Sequence, residues 1–346
     1  MRGLSIVIAI MLVASACAGQ GGTPSSAAAP TAGPTEAAEA AASPTQAAPT
    51  PTAVPPSPTP MPAGILAVIP TGEGPNELAA TADTVWVEDH RLGHLSRIDP
   101  ARNVEVDQLT DVLIHCDVAA GAGFVWATQA SSSQATKVDP ASGEVLGTIP
   151  LRDACGVAAD DKDLWVVSPG SGSVVRYDPQ SNEERATVTV GANPFFVAIG
   201  PEAVWVDGEA DGGTLWRIDP ATNAVVASIP VPDTFATGVE VGHGSVWVPA
   251  RDQSCVYRID PASNTVAATI RMPSAVGGLA VGPDAIWTSG WGDGTVYRID
   301  PATNQVSGSI STGFGNLGPP MVAFDSVWVS AMDRNVVLRL DPAAVK

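Results

Sequence analysis

The chain has 346 residues, 45% of them hydrophobic, enough for one large all-β domain or two ordinary ones. Its 36 acidic residues outnumber 17 basic ones, a formal charge of −19. A field of that sign repels nucleic acid and anionic headgroups, so both are excluded as partners of the folded surface.

At the N-terminus Arg2 precedes an apolar run, Leu4–Val13, followed by small residues. The run is too short for a comfortable membrane span and suits the core of an export signal. The sequence "LVASAC" then resembles the lipobox of bacterial lipoproteins, with Ala14 and Ala16 leading to Cys17. That resemblance implies a signal peptide over 1–16, cleavage before Cys17 and lipidation of its thiol, with the chain anchored outside the bacterial cell membrane. The alternative is an ordinary secretory signal with an incidental cysteine. Residues 17–62 are almost all Ala, Pro, Ser, Thr and Gly, with Glu36 and Glu39 as the charged residues. Such a segment buries too little apolar surface to offset its ordering entropy, and reads as a disordered tether. Fully extended it reaches about 140 Å, and as a coil about 40 Å.

Residues 63–346 are a repeat. Trp86, Trp126, Trp165, Trp205, Trp247, Trp287 and Trp328 are spaced by 39 to 42 residues, each in a "VWV"-like context. An Asp-Pro pair begins thirteen residues after each, or fourteen in the fourth copy. A period near 40 with several short β-rich runs, and no helical periodicity, predicts propeller blades. One copy shows the four runs: "GLAVG", "AIWTS", "TVYRID" and "QVSGSIS". Each is rich in β-branched or aromatic residues, with Gly, Pro, Asp and Asn between them. The prediction is an all-β, seven-bladed propeller of four-stranded antiparallel blades.

The recurrent "RIDPATN" has the look of a catalytic motif, but seven blades do not need seven active sites. Asp accepts from the turn backbone and Pro presets φ. The last turn position, Asn103, Gly143, Asn182, Asn223, Asn264 or Asn304, calls for a left-handed conformation that Asn and Gly tolerate. The motif is therefore a hairpin, with its Arg or Lys expected on the blade's solvent side. The seventh copy stops after three strands, and "ILAVIPTG" near residue 65 matches a missing fourth strand. Ile65–Ile69 is expected to complete the last blade and close the ring.

The unit "VWV…G.V.RIDPATN" resembles the YVTN-type and virginiamycin B lyase-like propeller repeats of bacteria, over Gly64–Lys346. The resemblance implies a monomeric propeller whose functional loops surround one mouth of a central channel. It also implies, for lyase-type members, elimination chemistry by histidine and glutamate with Mg2+. No later blade here carries such a set. Of four histidines, His90 and His115 reach the expected face, with Glu88, Asp89 and Asp117 nearby, as an acid–base or metal cluster or as solvated loop residues. Neither cysteine spacing nor histidine count predicts a zinc site, and no cofactor is expected outside the lyase alternative.

The remaining loops of that face vary from copy to copy. Phe195, Phe196, Phe235, Trp291 and Phe314, with Arg251 and Arg334, have the composition of an interface, unless the rings plug the channel or pack between blades. Cys116 and Cys155 occupy equivalent positions on neighbouring blades, ten residues before a tryptophan. On a circle of about 7 Å radius their Cα atoms fall roughly 6 Å apart, so outside the cytoplasm they form a disulfide or else remain two buried thiols. The expected function is a binding module for an extracytoplasmic protein, glycan or small ligand; the alternative is a lyase-like C–O lyase.

Overall fold

A computed structural model describes residues 61–345 except 210–211 and 233–236. The signal peptide, Cys17 and nearly all of the tether expected from the sequence lie outside these residues, as does Phe235.

Seven four-stranded antiparallel sheets follow one another in chain order, with one exception. Blade 1 is built from Pro75–Ala80, Val85–Asp89, His94–Asp99 and Val104–Leu109. Blade 7 takes three strands from the C-terminus, Leu317–Ala323, Ser326–Ala331 and Val336–Leu340. Its fourth is Ile65–Pro70, antiparallel to Val336–Leu340. Ile65 and Ile69 are buried there, so the two ends of the chain share one sheet and the third strand of blade 7 is covered by an outer fourth.

Burial falls from the second strand outward. Every residue of Val85–Asp89, Leu164–Ser168, Ser245–Ala250 and Ile286–Gly290 is buried, whereas outer strands such as Ala224–Pro230 alternate between exposed and covered. The seven repeat tryptophans are at most 2% exposed. Each packs forward into the next blade: Trp86 among Val118, Val125 and Val138, Trp205 among Val246, Val248 and Ile259, and Trp328 among Val85, Val87 and Ile98 of blade 1. A single blade has no means of burying its own indole, so neighbours stabilise each other around the ring.

The hairpin reading of "RIDPATN" holds in detail. Asp99 Oδ1 accepts from the N–H groups of Ala101 and Arg102 at 2.8 and 3.0 Å, and the pattern recurs at Asp139 and Asp178. These bonds hold the Asp139, Asp178, Asp219, Asp260 and Asp300 carboxyls below their usual range. The six Asn and Gly turn ends all have positive φ, between 54° and 79°.

The arginine departs from expectation. It does not face solvent but crosses to the turn of the next blade. Arg217 lies over Trp205, 5.4 Å from the ring centroid, and its Nη1 donates to Pro261 O (2.6 Å) and Asn264 Oδ1 (3.0 Å). Arg176 makes the same pair of bonds to Pro220 and Asn223, Arg258 to Pro301 and Asn304, and Arg339 to Pro100 and Asn103, which joins the last blade to the first. Lys137 reaches Pro179, Gln180 and Asn182. Arg97 meets a turn ending in Gly143 and takes the carbonyls of Pro140 and Ala141. Arg298 faces the seventh copy, whose turn "DPAAV" has no Asn, and pairs with Asp284 of its own blade at 3.0 Å.

Two stability predictions follow. Arg217→Met removes charge-assisted bonds and should cost about 1.5–3 kcal/mol in denaturant unfolding, while Arg298→Met, which loses an exposed ion pair, should cost less than about 1 kcal/mol. Deleting residues 64–70 should lower the melting temperature of the whole domain, because Ile65 and Ile69 alone represent about 3–6 kcal/mol of burial; an unchanged melt would mean that the strand is not needed for closure.

Candidate functional site

Two sets of loops are stitched into one face. The residue four past each tryptophan begins the loop between the second and third strands. In four blades its N–H bonds to a carbonyl sixteen residues earlier, in the loop leading into the blade: His90 to Gly74 (3.0 Å), Glu209 to Asn193 (3.1 Å), Trp291 to Ala275 (2.6 Å) and Met332 to Asn316 (3.2 Å). In these four blades the backbone bond recurs while the side chain changes. Around the ring this position holds His90, Ala130, Pro169, Glu209, Arg251, Trp291 and Met332.

His90 joins two other groups there. Glu88 ends two positions earlier on the same strand, so period-two alternation turns both side chains the same way. His115 comes from the loop leading into blade 2. Its backbone is held by His115 N–H to Thr128 O (3.1 Å), and the two blades are tied by Ile114 N–H to Gly93 O (3.1 Å). The Glu88 side chain is fully buried, with Oε1 3.0 Å from His90 Nδ1. Asn76 Nδ2 and Glu77 N–H donate to Oε2 at 3.2 and 3.4 Å. The His90 and His115 rings stack with centroids 3.9 Å apart. The hydrogen bond to Glu88 raises the His90 pKa. One donor atom from each of Glu88, His90 and His115 lies within 4.8 Å of the others. Asp117, grouped with them in sequence, points instead into the channel wall, accepting from Val118 N–H (2.8 Å) and Val157 N–H (2.9 Å) of blade 3.

Cys116 and Cys155 are joined across blades 2 and 3, with Cα atoms 5.1 Å apart, immediately beside His115. Cys255 is a buried thiol elsewhere. On the far side of the face Arg251 stacks on Trp291, its guanidinium carbon 3.8 Å from the ring centroid. Phe195 and Phe196 contact each other at 5.5 Å, and Phe196 also packs on the core between blades 4 and 5. Phe314 is half-buried against the core of blade 7. Arg334 is two-thirds exposed beside Asp333.

The first strands of all seven blades enclose a channel of about 700 Å³. It contains two carboxylates that sequence reasoning did not single out, Glu77 and Glu240, together with Asp117. Glu240 pairs across the sheet with Trp247, and the equivalent partners of the other tryptophans are Ala79, Ala119, Ala158, Ala198, Ala280 and Met321. A glutamate in a ring of alanines was a visible signal once the copies were aligned on tryptophan. Burial, with Asp117 nearby, pushes Glu240 up to about 7. Burial likewise raises Asp117 to about 7 against the pull of its backbone bonds, and raises Glu77 well above its usual range.

The class is therefore a seven-bladed β-propeller with a rigid, variable loop face and an acidic channel. Among solved structures it is similar to a virginiamycin B lyase from Staphylococcus aureus, with a TM-score of 0.68 and 15% identity over 78% of this chain and 94% of that one. A streptogramin B lyase structure gives 0.67 and 16% identity, over 80% and 94%. Kuenenia stuttgartiensis hydrazine synthase gives 0.66 and 14%, over 83% and 99%. At these identities the likeness is one of fold. No protein-family model matches the chain, and no curated protein matches it. Mg2+, which the lyase resemblance implies, prefers an all-oxygen octahedron, and two imidazoles with one carboxylate do not fit it.

The channel carboxyls predict a pH dependence. A folded pKa raised above the unfolded one stabilises fully below the unfolded value, and that contribution is lost as pH rises through the folded value. For Glu240 the window runs from its ordinary value of 4.5 to about 7. The melting temperature should therefore fall between about pH 4.5 and pH 7, and Glu240→Gln should flatten part of that slope, as read by melts across the range.

Proposed function

We propose that the chain is an extracytoplasmic lipoprotein, anchored through Cys17, whose propeller displays its loop face to a protein, glycan or small-molecule ligand. The observation that carries this reading is the ring of positions four past each tryptophan. The same backbone hydrogen bond recurs at four of those positions, yet their side chains are His90, Glu209, Trp291 and Met332. Residues that only build the fold recur, as the tryptophans and Asp-Pro turns do; residues that recognise a partner are free to differ. Trp291 with Arg251 over its face offers the aromatic and guanidinium pair that dominates binding hot spots. Phe195, Phe196, Phe314 and Arg334 extend the same surface. The Cys116–Cys155 bond supports an oxidising compartment, where such bridges persist. The tether, at about 40 Å as a coil, lifts the face clear of the anchoring membrane.

A lyase-like reaction is the second reading, favoured by the Glu88, His90 and His115 constellation, where a histidine beside a buried carboxylate suits proton abstraction.

The test has two parts. Cys17→Ser should move the protein from the membrane to the soluble fraction of cells that export it; retention in the membrane fraction would remove the lipid anchor from the proposal. Cross-linking on intact cells followed by mass spectrometry should return one recurrent partner attached to the loop face. Trp291→Ala should abolish that cross-link with the melting temperature unchanged. Cross-links scattered over the outer strands would count against a binding face.

A further inference from the structure

We propose that Glu88, His90 and His115 form a binding site for a divalent d-block cation, with Zn2+ the best-fitting ion and one coordination position left open toward the channel mouth. This goes beyond the binding reading and does not depend on it, because the ion is held by this chain alone.

The donor set comes first. Two imidazoles and one carboxylate are the ligands of open, three-coordinate zinc sites, whose fourth position takes water or an oxygen of a ligand. Zinc holds such atoms at about 2.0–2.2 Å, which sets tetrahedral edges near 3.4 Å. Glu88 Oε1 and His90 Nδ1 already stand 3.0 Å apart. All three donors fall within 4.8 Å, so rotation of the exposed His115 side chain and the half-exposed His90 closes the remaining distance.

The supporting shell is also in place. Glu88 is the buried member, and its carboxylate is oriented by Asn76 Nδ2 and the Glu77 N–H, both on Oε2. Oε1 is thereby turned to the histidines. Ligating carboxylates are held in this way by outer hydrogen bonds. His115 sits between two restraints, its own N–H bond to Thr128 O and the Cys116–Cys155 bridge that begins at the next residue. The ligands therefore project from backbone that two neighbouring blades hold together, the Ile114–Gly93 bond joining them. Precision of this kind is what a metal site needs. The carboxylates of the channel add a field of the sign that draws a cation to its mouth.

Accepting a lead-in N–H at this position does not require a glutamate, since Thr128 Oγ1 takes one from Asp117 (3.1 Å) and Asp207 Oδ1 one from Phe196 (3.1 Å). The other blades place Thr128, Val167, Asp207, Pro249, Ser289 and Ser330 at the position of Glu88 and fold with the same hydrogen-bond register.

The test uses the full chain carrying Cys17→Ser, which removes that thiol as a competing ligand. Titration calorimetry with Zn2+ should show one equivalent bound, and Co2+ in its place should give the visible d–d absorption of a low-coordinate site. His115→Ala and Glu88→Gln should each weaken Zn2+ at least tenfold, and Zn2+ should raise the melting temperature of the parent but not of His115→Ala. His115 is exposed, so its loss leaves folding intact, and the melt of Glu88→Gln shows whether that variant remains folded. His243→Ala, on the opposite face, should bind as the parent does. Absence of one-equivalent binding in the parent, or binding that survives His90→Ala and His115→Ala together, would overturn the site.

Discussion

The fold depends on a cationic side chain that, in six of the seven blades, reaches the neighbouring blade. In five of the seven blades an Arg or Lys lies over the blade's own tryptophan and donates to a proline carbonyl and an Asn side chain of the next turn. The ring quadrupole and the carbonyls share the charge, so it is half-buried at little desolvation cost. The same Asn that receives the bond adopts positive φ to turn its hairpin. One residue therefore serves the local turn and the interface between blades, which is why the motif recurs as a unit. Where the receiving Asn is missing, the latch changes: Arg97 shifts to a second carbonyl and Arg298 turns back to its own blade.

A ring held at its rim and through its tryptophans leaves the loop face free of structural duty. The bonds that tie lead-in loops to His90, Glu209, Trp291 and Met332 use backbone atoms alone, so they accept different side chains there. Close approach between blades is still demanding in places. Gly156 N–H bonds to Phe195 O at 3.0 Å, and a Cβ at 156 would collide with that carbonyl. Function is thereby confined to positions where the repeat is silent. The acidic channel lies directly beneath, and its raised carboxyl pKa values reflect burial first, with the like charges of neighbouring carboxylates adding to it.

Much of this was legible from spacing. Blade number, strand count, the turn conformation at Asn103 through Asn304 and the closing strand all follow from short-range rules applied to a period near 40, and the structure agrees with each. The Arg in "RIDPATN" was misplaced because alternation along a strand says which face a side chain leaves, not how far a long one travels. Its partner turn is more than 40 residues away in sequence. Glu240 hides in sequence because a lone carboxylate among alanines carries no motif, and Glu77 because nothing local shows that it turns into the channel.

The sequence by itself determined the repeat, and with it the architecture, because each blade is specified by local propensity, turn chemistry and one large buried side chain. It also marked where the copies differ. Only the tertiary structure decided which of those differences meet. Glu88 and His90 are neighbours by strand alternation, but His115 joins them because blade 2 curves back against blade 1. Arg251 meets Trp291 because two loops 40 residues apart project from adjacent blades. Contacts of this sort arise from the angle at which blades pack around the axis, and that angle is set by the sum of seven interfaces and not by any local stretch of chain.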